Sequence, residues 1–198
     1  MLFRSNRFSV SGETLQETLH LLRDQDPSRI AKINRMEEHV DMLQREITDF
    51  LVMLSQQSIT EEISLEAVEL MHNVNDLERI GDHCVHLGRL VQRKIEQRIG
   101  FSDAARREVG EMCELTGTFF TRMAAALQAG ESLPLEAASE MEAAIDVMEE
   151  ALRNNHISRL NTGECTVASG LVYIDILHNL EKIGDHTFKL ARSGADVR

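Results

Sequence analysis

The sequence predicts an all-α protein built as two tandem antiparallel three-helix bundles. Three observations carry that expectation. The composition is helix-forming: of 198 residues only 4% are aromatic, tryptophan is absent, two prolines occur, and Leu, Ala, Glu and Met outweigh β-branched runs. Apolar residues recur at three-and-four spacing over long stretches. A decapeptide is also repeated. Val74-Asn-Asp-Leu-Glu-Arg-Ile-Gly-Asp-His83 returns 103 residues later as Leu177-His-Asn-Leu-Glu-Lys-Ile-Gly-Asp-His186, and self-similarity at one long period marks a tandem duplication.

The elements follow in order. Residues 1–9 read as an irregular lead-in, and the first helix as about Ser11 to Arg23, with Leu15, Leu19 and Leu22 on one side. Asp26 caps the second helix and Pro27 takes its first turn, where a missing N–H costs little. That helix continues to about Gln57 with a seam of Ile30, Ile33, Met36, Val40, Leu43, Ile47, Phe50 and Leu54, the alternation typical of bundles. Thr60 caps the third helix, and Glu61 and Glu62 suit the positive end of its dipole. It reaches about Arg98, with Gly100 just past its end. Ser102 caps the fourth helix, which ends near Gly130. Ser132 and Pro134 start the fifth, which stops near Leu160 before Gly163. Thr166 caps the sixth, which ends near Ser193 before Gly194. The boundary falls at 99–102, so residues 1–100 and 101–198 form the two bundles. With no low-complexity linker between them, they are expected to pack side by side as one unit.

Charge narrows the function. The formal net charge of −12 offers no basic face to nucleic acid or to a bare anionic membrane. No apolar stretch can span a bilayer; the strongest run, residues 50–54, is one helical turn. The first residues carry no secretory signal. Cys84, Cys113 and Cys165 are widely spaced and form no Cys-x-x-Cys, so they read as reduced thiols in a cytosolic setting, packed as small side chains.

The repeated decapeptide contains Glu78 with Asp82, and Glu181 with Asp185. Residues four apart share one helix face, so each pair aims two carboxylates at one spot. An apolar column runs through each pair: Met71, Val74 and Val85 in the first copy, Ile174, Leu177 and Phe188 in the second. Arg79 and Lys182 can each screen the following Asp. Gly81 and Gly184 remove a side chain beside it, leaving room for a cation or for close approach of another helix. A second pattern is duplicated upstream: Glu37 and Asp41 correspond to Glu142 and Asp146 at an offset of 105, with Glu38 and Glu140 close by as register alternatives. On antiparallel consecutive helices, four carboxylates in each half can converge. Two readings stand side by side. The pairs hold hard, oxygen-seeking cations such as Mg²⁺, Ca²⁺, Mn²⁺ or ferric iron, or they are matched by salt bridges and helix caps.

Other chemistry has less support. His83 and His186 lie one residue off the acidic face, and they read, like His72, His86 and His178, as solvated or packed. A di-iron carboxylate site needs two Glu-x-x-His motifs on separate core helices; Glu17 with His20 lies on the short first helix and has no counterpart in the second half. No phosphate-binding glycine loop, nucleophile elbow or Cys/His pairing at an interpretable spacing appears, so no enzyme is expected. A metal-dependent phosphoester hydrolase is the contrary reading, since clustered carboxylates can clamp two cations. Phosphate recognition has only Arg79, Lys182 and helix N-termini to offer.

Asp76-Leu-Glu-Arg-Ile-Gly-Asp-His83, Asn179-Leu-Glu-Lys-Ile-Gly-Asp-His186 and the two upstream acidic pairs resemble the PhoU family of phosphate-uptake regulators over nearly the whole chain. The resemblance implies the tandem three-helix-bundle fold and metal sites on each bundle, with iron, zinc, manganese or magnesium as candidate ions. Carried over by position, the ligands are Glu37, Asp41, Glu78 and Asp82, then Glu142, Asp146, Glu181 and Asp185. The stretch 159–177 is similar to the soluble C-terminal region of bacterial sodium-dependent phosphate cotransporters. That likeness implies a regulatory domain at the cytoplasmic face of a membrane phosphate transporter, fused or separate, with a free-standing regulator as the alternative. Exposed helical faces allow a homodimer.

Overall fold

The structure, a computed structural model, describes residues 2–196, with side chains described for 9–194. Six helices make up the fold: α1 Leu2–Asp24, α2 Ser28–Ser55, α3 Glu61–Glu96, α4 Asp103–Gln128, α5 Leu135–Asn161 and α6 Val167–Asp196. No strand occurs among the described residues.

Local chemistry sets most boundaries. Asp26 Oδ1 accepts from the Ser28 N–H at 3.0 Å. Thr60, Ser102 and Thr166 hydroxyls accept from the N–H three residues on, at 3.4, 3.2 and 3.1 Å, and so satisfy donors that a helix start leaves open. Gly130 and Gly163 take left-handed φ values of 75° and 74°. The residue after each donates back five positions, Glu131 to Ala126 and Glu164 to Arg159, both at 2.9 Å, the usual helix-ending closure.

Four expectations are corrected. α1 begins at Leu2, not near Ser11; the stretch that looked like a lead-in continues the helix, and at its end the Ser9 hydroxyl donates to the Glu13 carboxylate one turn on at 3.2 Å. Thr14 and Thr18 donate to the carbonyls of Val10 and Thr14 at 2.8 Å each. Met1 lies outside the described residues. α3 closes at Arg98, whose φ is 52°, with the Ile99 N–H donating to the Lys94 carbonyl at 2.8 Å; Gly100 is not the turn residue. Phe50 is 58% exposed and Leu51 only 4%, because stepping four residues from the buried Ile47 keeps the seam on its face. Gly194 lies inside α6 under the Leu127 side chain rather than ending the helix.

Within each half all three helices touch one another, and between halves α3 packs on α6 and α1 on α4. These four helices form a shared inner layer, with α2 flanking one side and α5 the other. One continuous core runs through it, from Leu15 and Leu21 through Ile80 and Leu87 to Phe119, Ile176 and Leu177. A small separate cluster of Ile47, Leu51 and Val74 pins α2 to α3. Burial of each such side chain is worth about 1.5–3 kcal/mol.

Candidate metal centre

Antiparallel packing of α2 on α3, and of α5 on α6, sets the upstream acid pair of each half beside the downstream one. In the second half Glu142 and Asp146 of α5 and Asp185 of α6 each offer an oxygen, all within 4.8 Å of one another. Among the described residues this is the one group of three or more ligand-type side chains at that spacing. Glu181 stands beside the trio, its carboxylate 3.0 Å from Lys182 Nζ and 3.6 Å from His178 Nδ1. Lys182 also reaches Asp185 at 2.7 Å.

The first half is looser. Glu37 and Asp41 of α2 face Glu78 and Asp82 of α3, but without closing to the same distance. Arginines engage three of the four: Asp41 accepts from Arg45 at 3.1 Å, and Arg79 lies 3.3 Å from Asp82 and 3.6 Å from Glu78. The sequence-derived convergence of four carboxylates is therefore three in one half and a salt-bridged set in the other. The two glycines explain part of the contrast. A Cβ at Gly81 would meet only the Glu37 Cγ, at 3.5 Å, and Val40, whereas at Gly184 it would press on Ile145 Cδ1 at 2.9 Å. Glycine thus serves helix approach in the second half and leaves space beside Glu37 in the first.

Electrostatics marks both places as short of positive charge. Glu78 is pushed up to about 7, first by burial and then by Asp82, with Arg79 opposing. Glu37 is raised by burial and then by Asp41 and Asp82. Burial likewise raises Glu142, followed by Asp146 and Asp185, and raises Asp146, followed by Asp185. Glu181 is raised by burial although its bond from Lys182 opposes this. Each of these carboxylates holds its proton longer than usual because burial and like charges disfavour ionisation. Among the described residues no basic side chain lies within ion-pairing distance of Glu37, Glu142 or Asp146. The Glu142–Asp146–Asp185 donor set is all oxygen, which suits a hard cation such as Mg²⁺, Mn²⁺ or Fe³⁺, and contains no imidazole or thiolate to favour zinc. Glu17, three residues before His20, is bound instead to Arg29 and Lys32 at 2.6 and 2.8 Å.

The PhoU domain profile matches residues 8–91 and again 109–193. The chain belongs to the PhoU family. Over 191 residues it is 24% identical to the phosphate-specific transport system accessory protein PhoU homolog 1 of Thermotoga maritima, covering 94% of this chain and 80% of that one. PhoU from Pseudomonas aeruginosa superposes with a TM-score of 0.89 at 17% identity, over 98% of this chain and 93% of its own. The phosphate transport system regulatory protein PhoU from Streptococcus pneumoniae gives 0.81 at 17% identity, over 99% and 91%. At such identities the likeness to the two structures shows a shared fold.

In this PhoU chain the two matched segments meet along α3 and α6, and sequence reasoning missed how. His83 Nδ1 lies 2.8 Å from Asn179 Oδ1, and His186 Nδ1 lies 2.8 Å from Asp76 Oδ1. Their rings sit 5.8 Å apart. Asp76 and Asn179 hold equivalent places in the repeat, as do the two histidines, so each half reaches the other by the same reciprocal bond. The sign was in the sequence: residues seven apart within the decapeptide lie on one face, two turns along. Also missed was a knot at the α4–α5–α6 junction. Glu108 accepts from Arg159 at 2.8 and 2.7 Å and from the Tyr173 hydroxyl at 2.6 Å. Cys165 Sγ lies 3.6 Å from Nδ1 of the buried His156. That pair spans a turn between helices, where no fixed spacing signals contact. All three cysteines are free; Cys84 and Cys113 are buried. No helix among the described residues is long and apolar enough to cross a membrane.

Proposed function

We propose that this PhoU-family chain is a cytoplasmic regulatory unit that restrains a membrane phosphate transporter through its helical surface and carries hard metal ions on its acidic pairs. The observation that carries the reading is the Glu142–Asp146–Asp185 trio within a PhoU-family fold. Glu142, Asp146 and Asp185, with Glu181 beside them, would hold the ion of the second bundle; Glu37, Asp41, Glu78 and Asp82 would hold that of the first once Arg45 and Arg79 turn outward. The ion would supply the missing positive charge and lock α5 to α6 and α2 to α3, a structural and sensory role rather than a catalytic one. Residues 1–100 and 101–198 act as two bundles of one unit. Exposed Phe50, Met53 and Leu65 near the α2–α3 turn provide an apolar face for the transporter, and a homodimer would compete for it.

The similarity of residues 159–177 to sodium-dependent phosphate cotransporters supports that transporter class, with the chain fused or bound at the inner membrane face. A free-standing regulator is the second reading, favoured by the near-full-length match to the T. maritima accessory protein. Radiolabelled phosphate uptake in cells carrying the transporter, with and without this chain, tests the role: uptake is expected to rise when the chain is removed, and unchanged uptake refutes restraint. Metal content of untagged protein, measured by plasma mass spectrometry, tests the sites. Wild type is expected to retain metal and Asp146→Asn/Asp185→Asn to lose that of the second bundle; a metal-free wild type after equilibration with Mn²⁺, Mg²⁺ or Fe³⁺ refutes the assignment.

A further inference from the structure

Lys94 is a cation in an unusual place. It is only 7% exposed, at the last turn of α3, where the carbonyl end of the helix favours positive charge. Its ammonium donates to Gln25 Oε1 at 2.7 Å and sits 4.7 Å from the centre of the Phe101 ring. An ammonium has three donors and is costly to take out of water unless it is paired. Among the described residues no carboxylate reaches it. Burial instead pulls its pKa down, and Arg106 adds to that.

The same side chain lines a cavity of about 40 Å³ shared with Arg23, Gln25, Phe101 and Arg106, roughly three times the space one water needs. Three cations from α1, α3 and α4 thus converge on one small volume in a chain whose net charge is −12. Among the described residues the acid paired with any of them is Asp103, which holds Arg106 and is itself largely exposed. Gln25, accepting through its oxygen, keeps its amide N–H₂ available as a donor.

We propose that this cavity binds one small tetrahedral oxyanion of the phosphate class, with Lys94 at its floor and Arg23 and Arg106 at its mouth. Guanidinium groups match such oxygens in two-pronged geometry, and the buried ammonium gains the partner it lacks. The lining also includes Ile176 of α6, so the anion would draw together helices of both halves. The inference goes beyond the regulatory role proposed above. The cavity is separate from the acidic pairs, and its occupancy requires neither metal nor transporter.

Calorimetric titration of the full chain, freed of metal with a chelator, against inorganic phosphate at low ionic strength tests it. One saturable site is expected, with affinity lowered at least tenfold in Arg106→Gln and binding lost in Lys94→Met. Asp146→Asn is expected to bind as wild type does, which separates this site from the metal centre. Equal binding of sulfate would support a general tetrahedral-dianion site, and preference for phosphate would support a selective one. Absence of binding by wild type, or unchanged binding in Arg106→Gln, would overturn the proposal; the exposed Arg106 keeps the test decisive even where Lys94→Met does not fold.

Discussion

Replacing Asp146 by asparagine should stabilise the metal-free protein and destabilise the metal-loaded one relative to wild type. Its carboxylate lies within 4.8 Å of oxygens from Glu142 and Asp185. At that distance each like-charge pair costs about 1 kcal/mol at the dielectric of water and about 3.5 kcal/mol at an effective constant of 20. Asp146 is exposed, so the aqueous end of the range applies. Two relieved pairs, less the attraction of Lys182 that also acts on Asp146, leave a gain of about 1 kcal/mol. For a chain of this size that is a rise of about 2–4 °C in Tm. A hard cation at a hundred times its Kd adds about 2.7 kcal/mol to wild type, and the variant, short of one ligand, gains far less. Thermal unfolding followed by circular dichroism, in chelator and then in Mn²⁺, should therefore show the two Tm curves change order. A variant less stable than wild type in chelator would refute the reasoning, because it would mean that Asp146 is already matched by the protein itself.

Three other outcomes are expected. Glu78, held up to about 7, binds its proton more tightly folded than unfolded, so its contribution is full below about pH 4.5 and is lost as pH rises toward 7; urea unfolding of metal-free protein should show Glu78→Gln abolishing on the order of 1–3 kcal/mol of decline across that window. Gly170→Ala would drive a methyl into the His156 imidazole and should cost about 1–3 kcal/mol of stability, read by the urea midpoint. Cys165, partly exposed, should react with a thiol reagent in the native protein, whereas Cys84 and Cys113, buried and pushed up to about 12, should react only on unfolding; peptide mapping after timed labelling reads the order.

The helices were legible because their ends carry local chemistry. Asp26, Thr60, Ser102 and Thr166 act within three residues of themselves, so the sequence contains both partners of each cap. The start of α1 was not, since Arg4, Ser5, Asn6, Arg7 and Ser9 interrupt the apolar spacing and read as a lead-in. The acidic pairs were visible through duplication. Which of them close into a trio depends on the approach of α5 to α6, set by Ile145 against Gly184, and on where Arg45 and Arg79 turn; neither is encoded in a spacing. The Lys94 cavity had no sequence mark, because its cations come from three separate helices.

The crossed histidine bonds between α3 and α6 have an implication for ancestry. A single half meeting a duplicate of itself across a dyad could rebuild both contacts, His83 to Asp76 twice, or His186 to Asn179 twice. The present polypeptide is then a symmetric pair joined end to end, and the change between Asp76 and Asn179 marks where, once fused, the two members were free to diverge.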